Sequence, residues 1–198
     1  MTYCCGILVR DGLVMFADTR TNAGVDNIAT FRKLHVFTRP GQRIMAIASA
    51  GNLSITQSVV SILREGWDNP ETGETETLMK APTMFQAAQR VGHIIRELHH
   101  VEGEALEASE VKFDVSFLLG GQIKGERQRL FMLYAAGNFI ECTQDTPYLQ
   151  IGNTNTASRC SIAPSPTTSI STMRSRSAWS RSTRPCAPIS ASGFRSTY

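Results

Sequence analysis

Between Gly152 and Asn153 the chain changes character, and this limits what can fold. The 46 residues from Asn153 to Tyr198 contain no Asp, Glu, Lys, Leu or Val, but 12 Ser, 7 Thr, 6 Arg and 4 Pro. Such a segment has too little apolar surface to offset the entropy of ordering, so residues 153–198 are expected to be disordered and residues 1–152 to hold the core. All 17 acidic residues lie in 1–152 with 14 of the Lys and Arg, so the formal net charge of +3 belongs to the tail. The basic balance is therefore no argument for a nucleic-acid partner. At 198 residues and 41% hydrophobic, the chain suits one domain with a real core. Its longest apolar runs are strand-sized, which predicts no membrane span. Met1 to Gly6 lacks a basic n-region and an apolar h-region, so a cytoplasmic protein is expected. Five cysteines, odd in number and without ligand spacing, then read as reduced thiols.

Within 1–152 the apolar pattern runs strands, two helices, strands. Tyr3–Arg10 and Leu13–Thr19 flank a turn at Asp11-Gly12, a favoured hairpin pair. A loop at Thr21-Asn22-Ala23-Gly24 leads to strands at Leu34–Thr38 and Arg43–Ser49, turned by Arg39-Pro40-Gly41-Gln42. Ile55, Val59, Ile62 and Leu63 recur at helical spacing after a cap at Asn52 or Ser54. Residues 68–82 read as a surface loop. A second helix is predicted from Thr83 to His99 on Phe85, Ala88, Val91, Ile95 and Leu98, with the acidic residues 101–110 connecting onward. Strands return at Phe113–Leu119, Leu130–Ala136, Phe139–Thr143 and Tyr148–Ile151, with turns at Gly120-Gly121 and Gly137-Asn138. Grouped rather than alternating elements predict an α+β fold with antiparallel sheets covered by helices.

No phosphate-binding loop, dinucleotide fingerprint, HExxH or CxxC motif occurs. His99-His100 point about 100° apart on a helix and have no spaced partner for a metal, so a solvated helix end is the expectation. Cys4 and Cys5 alternate faces on a strand and read as small buried thiols. Thr2 is different. A small second residue permits removal of Met1, and a terminal threonine carries both a hydroxyl nucleophile and a base, its α-amine, with an ordinary pKa of about 7.7–8.0. Such a site needs a cation beside the hydroxyl and a carboxylate to hold that cation. Lys33, at the start of one strand, and Asp18, at the end of another, are suitably placed, although exposed Asp–Lys pairs are common.

The wording around these residues adds to the argument. Thr2, Gly12-Leu13-Val14-Met15-Phe16-Ala17-Asp18-Thr19-Arg20, Asn22-Ala23-Gly24, Arg32-Lys33 and Ser49-Ala50-Gly51-Asn52 resemble proteasome β-type subunits in order and spacing. Thr19-Arg20-Thr21-Asn22-Ala23-Gly24-Val25-Asp26, Phe31-Arg32-Lys33, Ser49-Ala50-Gly51-Asn52-Leu53 and Tyr148-Leu149-Gln150-Ile151-Gly152 narrow the likeness. The stretch 2–152 resembles most closely the bacterial Anbu family, a relative of HslV. The resemblance implies Thr2 as nucleophile with its amine as base. Lys33 would lower the amine's pKa and stabilise charge, Asp18 would orient Lys33, and the Gly51 N–H would be the oxyanion donor. Thr21, Asn22 and Gly51 would pair with an extended peptide, and Ser49 would shape the pocket.

The likeness stops at Gly152, and the genetic code offers a reason. Synonymous codons exist for residues 153–168 that, with one G placed in front and read in the shifted frame, spell EHKYGKPMLDRAITYD. The same shift over residues 182–198 spells DSTMRSNLGVGLPIDL. Both resemble the Anbu family. A single-base loss near the Gly152 codon is therefore expected. A genuine Ser/Arg tail would explain the arginines but not the recovered wording.

Together these imply the four-layer αββα sandwich of N-terminal nucleophile hydrolases, with its C-terminal part disrupted. The implied function is a threonine peptidase subunit acting on peptides or unfolded proteins, self-associating into a ring or spiral, without metal or organic cofactor. No motif identifies an ATP-driven unfolding partner. A non-catalytic assembly subunit of the same fold has no need of Thr2, Asp18 and Lys33 together. A small-molecule amidase or acylase of the same superfamily would be distinguished by its substrates.

Overall fold

The computed structural model describes residues 2–22, 28–68, 73, 75–152 and 189–190, and for 20–22, 28, 29, 189 and 190 it describes the backbone alone. Strands β1 (Tyr3–Val9) and β2 (Gly12–Ala17) form an antiparallel hairpin whose register pairs Cys5 with Phe16. The turn is Arg10-Asp11, one residue earlier than the sequence suggested, because Gly12 already pairs with Val9. This register keeps Cys4, Leu13 and Met15 in one apolar cluster, while Cys5, Ile7 and Val9 form another with Tyr3 and Phe16. Short β3 (Arg20–Asn22) pairs with β4 (Ile28–Thr30), so part of the expected loop is strand; residues 23–27 lie outside the described residues.

Strands β5 (Leu34–Arg39) and β6 (Arg43–Gly51) follow, then helix α1 (Leu53–Glu65), where the Asn52 side chain accepts from the Ser54 N–H. The expected surface loop contains a small pair, β7 (Trp67–Asp68) with β8 (Thr75–Glu76), and a 3-10 turn at Leu78–Lys80; residues 69–72 and 74 of that loop lie outside the described residues. Helix α2 (Met84–Ala108), capped by Thr83, runs nine residues past the expected His99. Glu102, Glu104, Ala105, Leu106 and Glu107 are good helix formers, and their acidity marks a solvated face rather than a connector. Leu106 packs against the core, and the His99 ring, well inside the helix, meets Phe113 edge-on at 4.6 Å.

Strands β9 (Val115–Ile123), β10 (Arg129–Leu133), β11 (Phe139–Glu141) and β12 (Tyr148–Gly152) complete the pattern, with Ile189–Ser190 (β13) pairing with β2. Two antiparallel sheets result, ordered β12-β1-β2-β13 and β11-β10-β9-β6-β5. Cys4, Leu13, Met15, Ala48, Ala50, Leu118 and Leu130 fill the space between them. Gly120 and Gly121 lie inside β9 rather than in a turn. A methyl at Gly120 would lie 2.6 Å from Leu13 Cδ2 and 2.8 Å from Met15 Sδ, so a bare Cα lets β2 approach.

The helices cover the far face of the five-stranded sheet, with Ile55, Val59, Leu63, Val91 and Ile95 against Met45, Ile47, Phe117, Leu119 and Phe131. The class is α+β, and the described residues form three layers: helices, sheet, sheet. The second helical layer of the expected αββα sandwich is not among the described residues; of residues 153–198, expected to be disordered, only Ile189–Ser190 are described, and they pair with β2 as a strand. Among the described residues, no helix is long and apolar enough to cross a membrane.

Candidate active site

Three strand ends converge at one point. Thr2 immediately precedes β1, Asp18 immediately follows β2, and Lys33 immediately precedes β5. The Lys33 ammonium donates to Thr2 Oγ1 at 2.8 Å and to Asp18 Oδ1 at 2.9 Å. It is almost wholly buried, 5% exposed, whereas the Asp18 side chain is 32% exposed. A cation so enclosed needs counter-charge and hydrogen-bonding partners, and the hydroxyl and carboxylate provide both. Asp18 is held in turn: Tyr3 N–H donates to Asp18 Oδ1 at 3.1 Å, and Asp18 N–H donates to the Tyr3 carbonyl at 3.0 Å.

The sequence therefore placed Thr2, Asp18 and Lys33 correctly as neighbours. Ser49 is buried on β6, and its backbone N–H donates to the Lys33 carbonyl at 3.0 Å, fixing the backbone just before β5. Its own carbonyl accepts from the Cys4 thiol at 3.6 Å. Burial, reinforced by the Asp18 charge and opposed by Lys33, pushes that thiol up to about 12. Cys4 is thus a buried packing group, not a second nucleophile.

Gly51 ends β6 with φ +108°, and a side chain there would overlap the Asp114 carbonyl and lie 2.9 Å from Val115 Cα. The Asn52 N–H donates to that same carbonyl at 2.8 Å, so the backbone of 51–52 is fixed against the start of β9. Thr21 and Asn22 lie on β3, opposite Ala29 and Ile28; their side chains lie outside the description. Tyr3 was not singled out by sequence reasoning, because its part is a backbone N–H that any residue but proline carries. Among the described residues, no group of three His, Cys, Asp or Glu could hold a metal ion.

A hydroxyl bound to a buried ammonium, itself held by a carboxylate, is chemically a site where an alkoxide could be stabilised. Solved structures with the same arrangement of elements are numerous. A mutant Anbu from Hyphomicrobium sp. strain MC1 is 47% identical over 77% of this chain and 61% of its own, with a TM-score of 0.66. Anbu from Yersinia bercovieri, described as an ancestral beta-subunit, is 42% identical over 86% of this chain and 69% of its own, at 0.75.

This chain belongs to the Anbu family.

A third Anbu, from Pseudomonas aeruginosa and described as a helical assembly, is 35% identical over 87% of this chain and 70% of its own, at 0.77. No protein-family model and no curated protein matches the sequence. The chain spans between 61% and 70% of these three Anbu chains. Its fold is α+β and proteasome-like, as the sequence resemblance implied, with three of the four implied layers among the described residues.

Proposed function

We propose that this chain is a proteasome-type threonine peptidase subunit that hydrolyses peptide bonds through Thr2 once Met1 is removed. The observation that carries the reading is the buried Lys33 ammonium bridging Thr2 Oγ1 and Asp18. With Met1 gone, the free α-amine takes the Oγ1 proton as the oxygen attacks the substrate carbonyl. Lys33 holds the amine neutral and stabilises the developing alkoxide, while Asp18 keeps Lys33 in place. The Gly51 N–H receives the oxyanion, Thr21 and Asn22 pair with the extended substrate, and Ser49 shapes its pocket. Collapse expels the amine product, protonated by the α-amine, and leaves an ester on Thr2. Water, deprotonated by the same amine, then attacks the ester, and the ammonium so formed returns the proton to Oγ1 as the acid leaves.

The substrate is a peptide or an unfolded protein, and the subunit self-associates in the cytoplasm into a ring or spiral; the helical assembly of the Pseudomonas aeruginosa Anbu supports a spiral. The wording recovered from the shifted frame supports a one-base loss at the Gly152 codon, with full activity belonging to the restored frame.

Peptide turnover by the purified protein tests the reading, with the intact mass reporting loss of Met1. Thr2→Ala is expected to abolish turnover without unfolding the protein, at some cost in melting temperature because Lys33 loses one hydrogen-bonding partner. Persistent hydrolysis by Thr2→Ala would refute the assignment.

A further inference from the structure

The residue paired with the start of β1 does more than close a sheet. In the β12–β1 register Gly152 lies opposite Tyr3, with φ +91°. A side chain there would overlap the Thr2 carbonyl oxygen, lying 2.8 Å from the Thr2 carbonyl carbon and 3.4 Å from Tyr3 N. From these contacts we propose that Gly152 is a positioning residue for the nucleophile: its bare Cα lets the Thr2 carbonyl occupy the one place from which Oγ1 reaches Lys33. The inference rests on the peptidase reading above and adds a residue to it.

The argument is mechanical. The peptide joining Thr2 to Tyr3 is gripped at its nitrogen, where Tyr3 N–H donates to Asp18 at 3.1 Å. At its carbonyl end it abuts Gly152. A methyl at 152 must drive the carbonyl away by on the order of 1 Å, and the pinned nitrogen turns that push into a swing of Thr2 itself. Lys33 cannot follow, because its ammonium is buried and held by Asp18 at 2.9 Å, and its carbonyl is held by Ser49. A misplacement of about 1 Å at a reacting atom can cost about 10²-fold in rate. Gly41 is a useful contrast: its φ is also positive, at +73°, yet a methyl there meets nothing within 4 Å.

The test is acylation of Thr2 by a peptidyl β-lactone, followed by intact mass, in the parent protein, Gly152→Ala, Gly152→Asn and Gly41→Ala. Asparagine tolerates positive φ better than alanine but still carries the Cβ, so it separates backbone strain from overlap. Both Gly152 variants are expected to lose about 10²-fold in maximal acylation rate with the half-saturating probe concentration unchanged, while Gly41→Ala matches the parent. A merely structural glycine would reduce the fraction of protein labelled, not the rate of what remains folded. In a crystal structure of either variant, Thr2 Oγ1 is expected beyond hydrogen-bonding reach of Lys33 Nζ. A folded Gly152 variant with the parental rate overturns the proposal, as does failure of both variants to fold. Absence of labelling at Thr2 in both the chain as written and the restored-frame protein, each with Met1 removed, overturns the peptidase reading itself, a result read without any Gly152 variant.

Discussion

Lys33 carries the greatest chemical demand of any single residue, because it is a nearly enclosed cation whose partners are one hydroxyl and one carboxylate among the bonds described above. Removing it leaves Asp18 with the Tyr3 N–H but without its counter-charge. Lys33→Ala is therefore expected to cost about 1–3 kcal/mol, nearer the lower figure because Asp18 is a third exposed, and to reduce turnover by about 10²–10³-fold. Urea unfolding and peptide hydrolysis measure the two effects separately. Lys33→Arg should not restore activity, since a planar fork cannot occupy the space of a point-like ammonium between Thr2 and Asp18. Wild-type turnover in Lys33→Ala would remove the lysine from the mechanism and leave the pair as a strand tie.

At the scale of elements, β9 shows how two adjacent glycines do different work. A methyl on Gly120 meets the ends of Leu13 and Met15, which can move, whereas a methyl on Gly121 overlaps the Ile44 carbonyl and lies 2.9 Å from Met45 Cα. Backbone cannot give way as side chains do. Gly120→Ala is expected to cost about 1 kcal/mol, and Gly121→Ala about 3 kcal/mol, by denaturant unfolding. The reverse order would show that β6 and β9 are less closely held than their pairing indicates. The same strand shows where sequence reading stops. Gly-Gly signals a turn locally, and only the approach of β2 and β6 gives it an in-strand purpose. Helix α2 was extended too little for a related reason, since Glu102, Glu104 and Glu107 look like a connector until Leu106 is seen packed against the core. By contrast the proximity of Thr2, Asp18 and Lys33 was legible, because their residue types suit one chemistry and the wording around them resembles a known family. Gly152 was not legible as a site residue, because its role lies in what a missing side chain permits across a strand pair.

For the whole molecule, the imbalance is between its two outer faces. The five-stranded sheet has α1 and α2 packed over it, with more than twenty buried side chains in that cluster. The β1 sheet carries Cys5, Ile7 and Val9 on its other side, with Tyr3 and Phe16; the first three are buried, yet no residue of a described helix belongs to that cluster. Beside β2 there is also an open, mostly apolar cleft between the sheets, lined by Leu13, Met15, Leu34, Val36, Ile44 and Ala46. The tail as written has no Leu or Val to add to such a cluster, whereas synonymous codons allow the shifted frame to spell NLGVGLPIDL near its end, alternating apolar residues with a strand's period. Each large aliphatic side chain fully buried contributes about 1.5–3 kcal/mol, so two or three suffice to move a domain of this size by about 10 °C in melting temperature. Inserting one base at the Gly152 codon is therefore expected to yield a protein that melts at least about 10 °C higher than the chain as written and acylates Thr2 faster. Differential scanning calorimetry of the two proteins, each with its C-terminus verified by fragmentation, makes the comparison. Equal melting temperatures would mean that the Ser/Arg sequence covers the β1 sheet as well as the restored one does, and the one-base loss would then explain nothing about this fold.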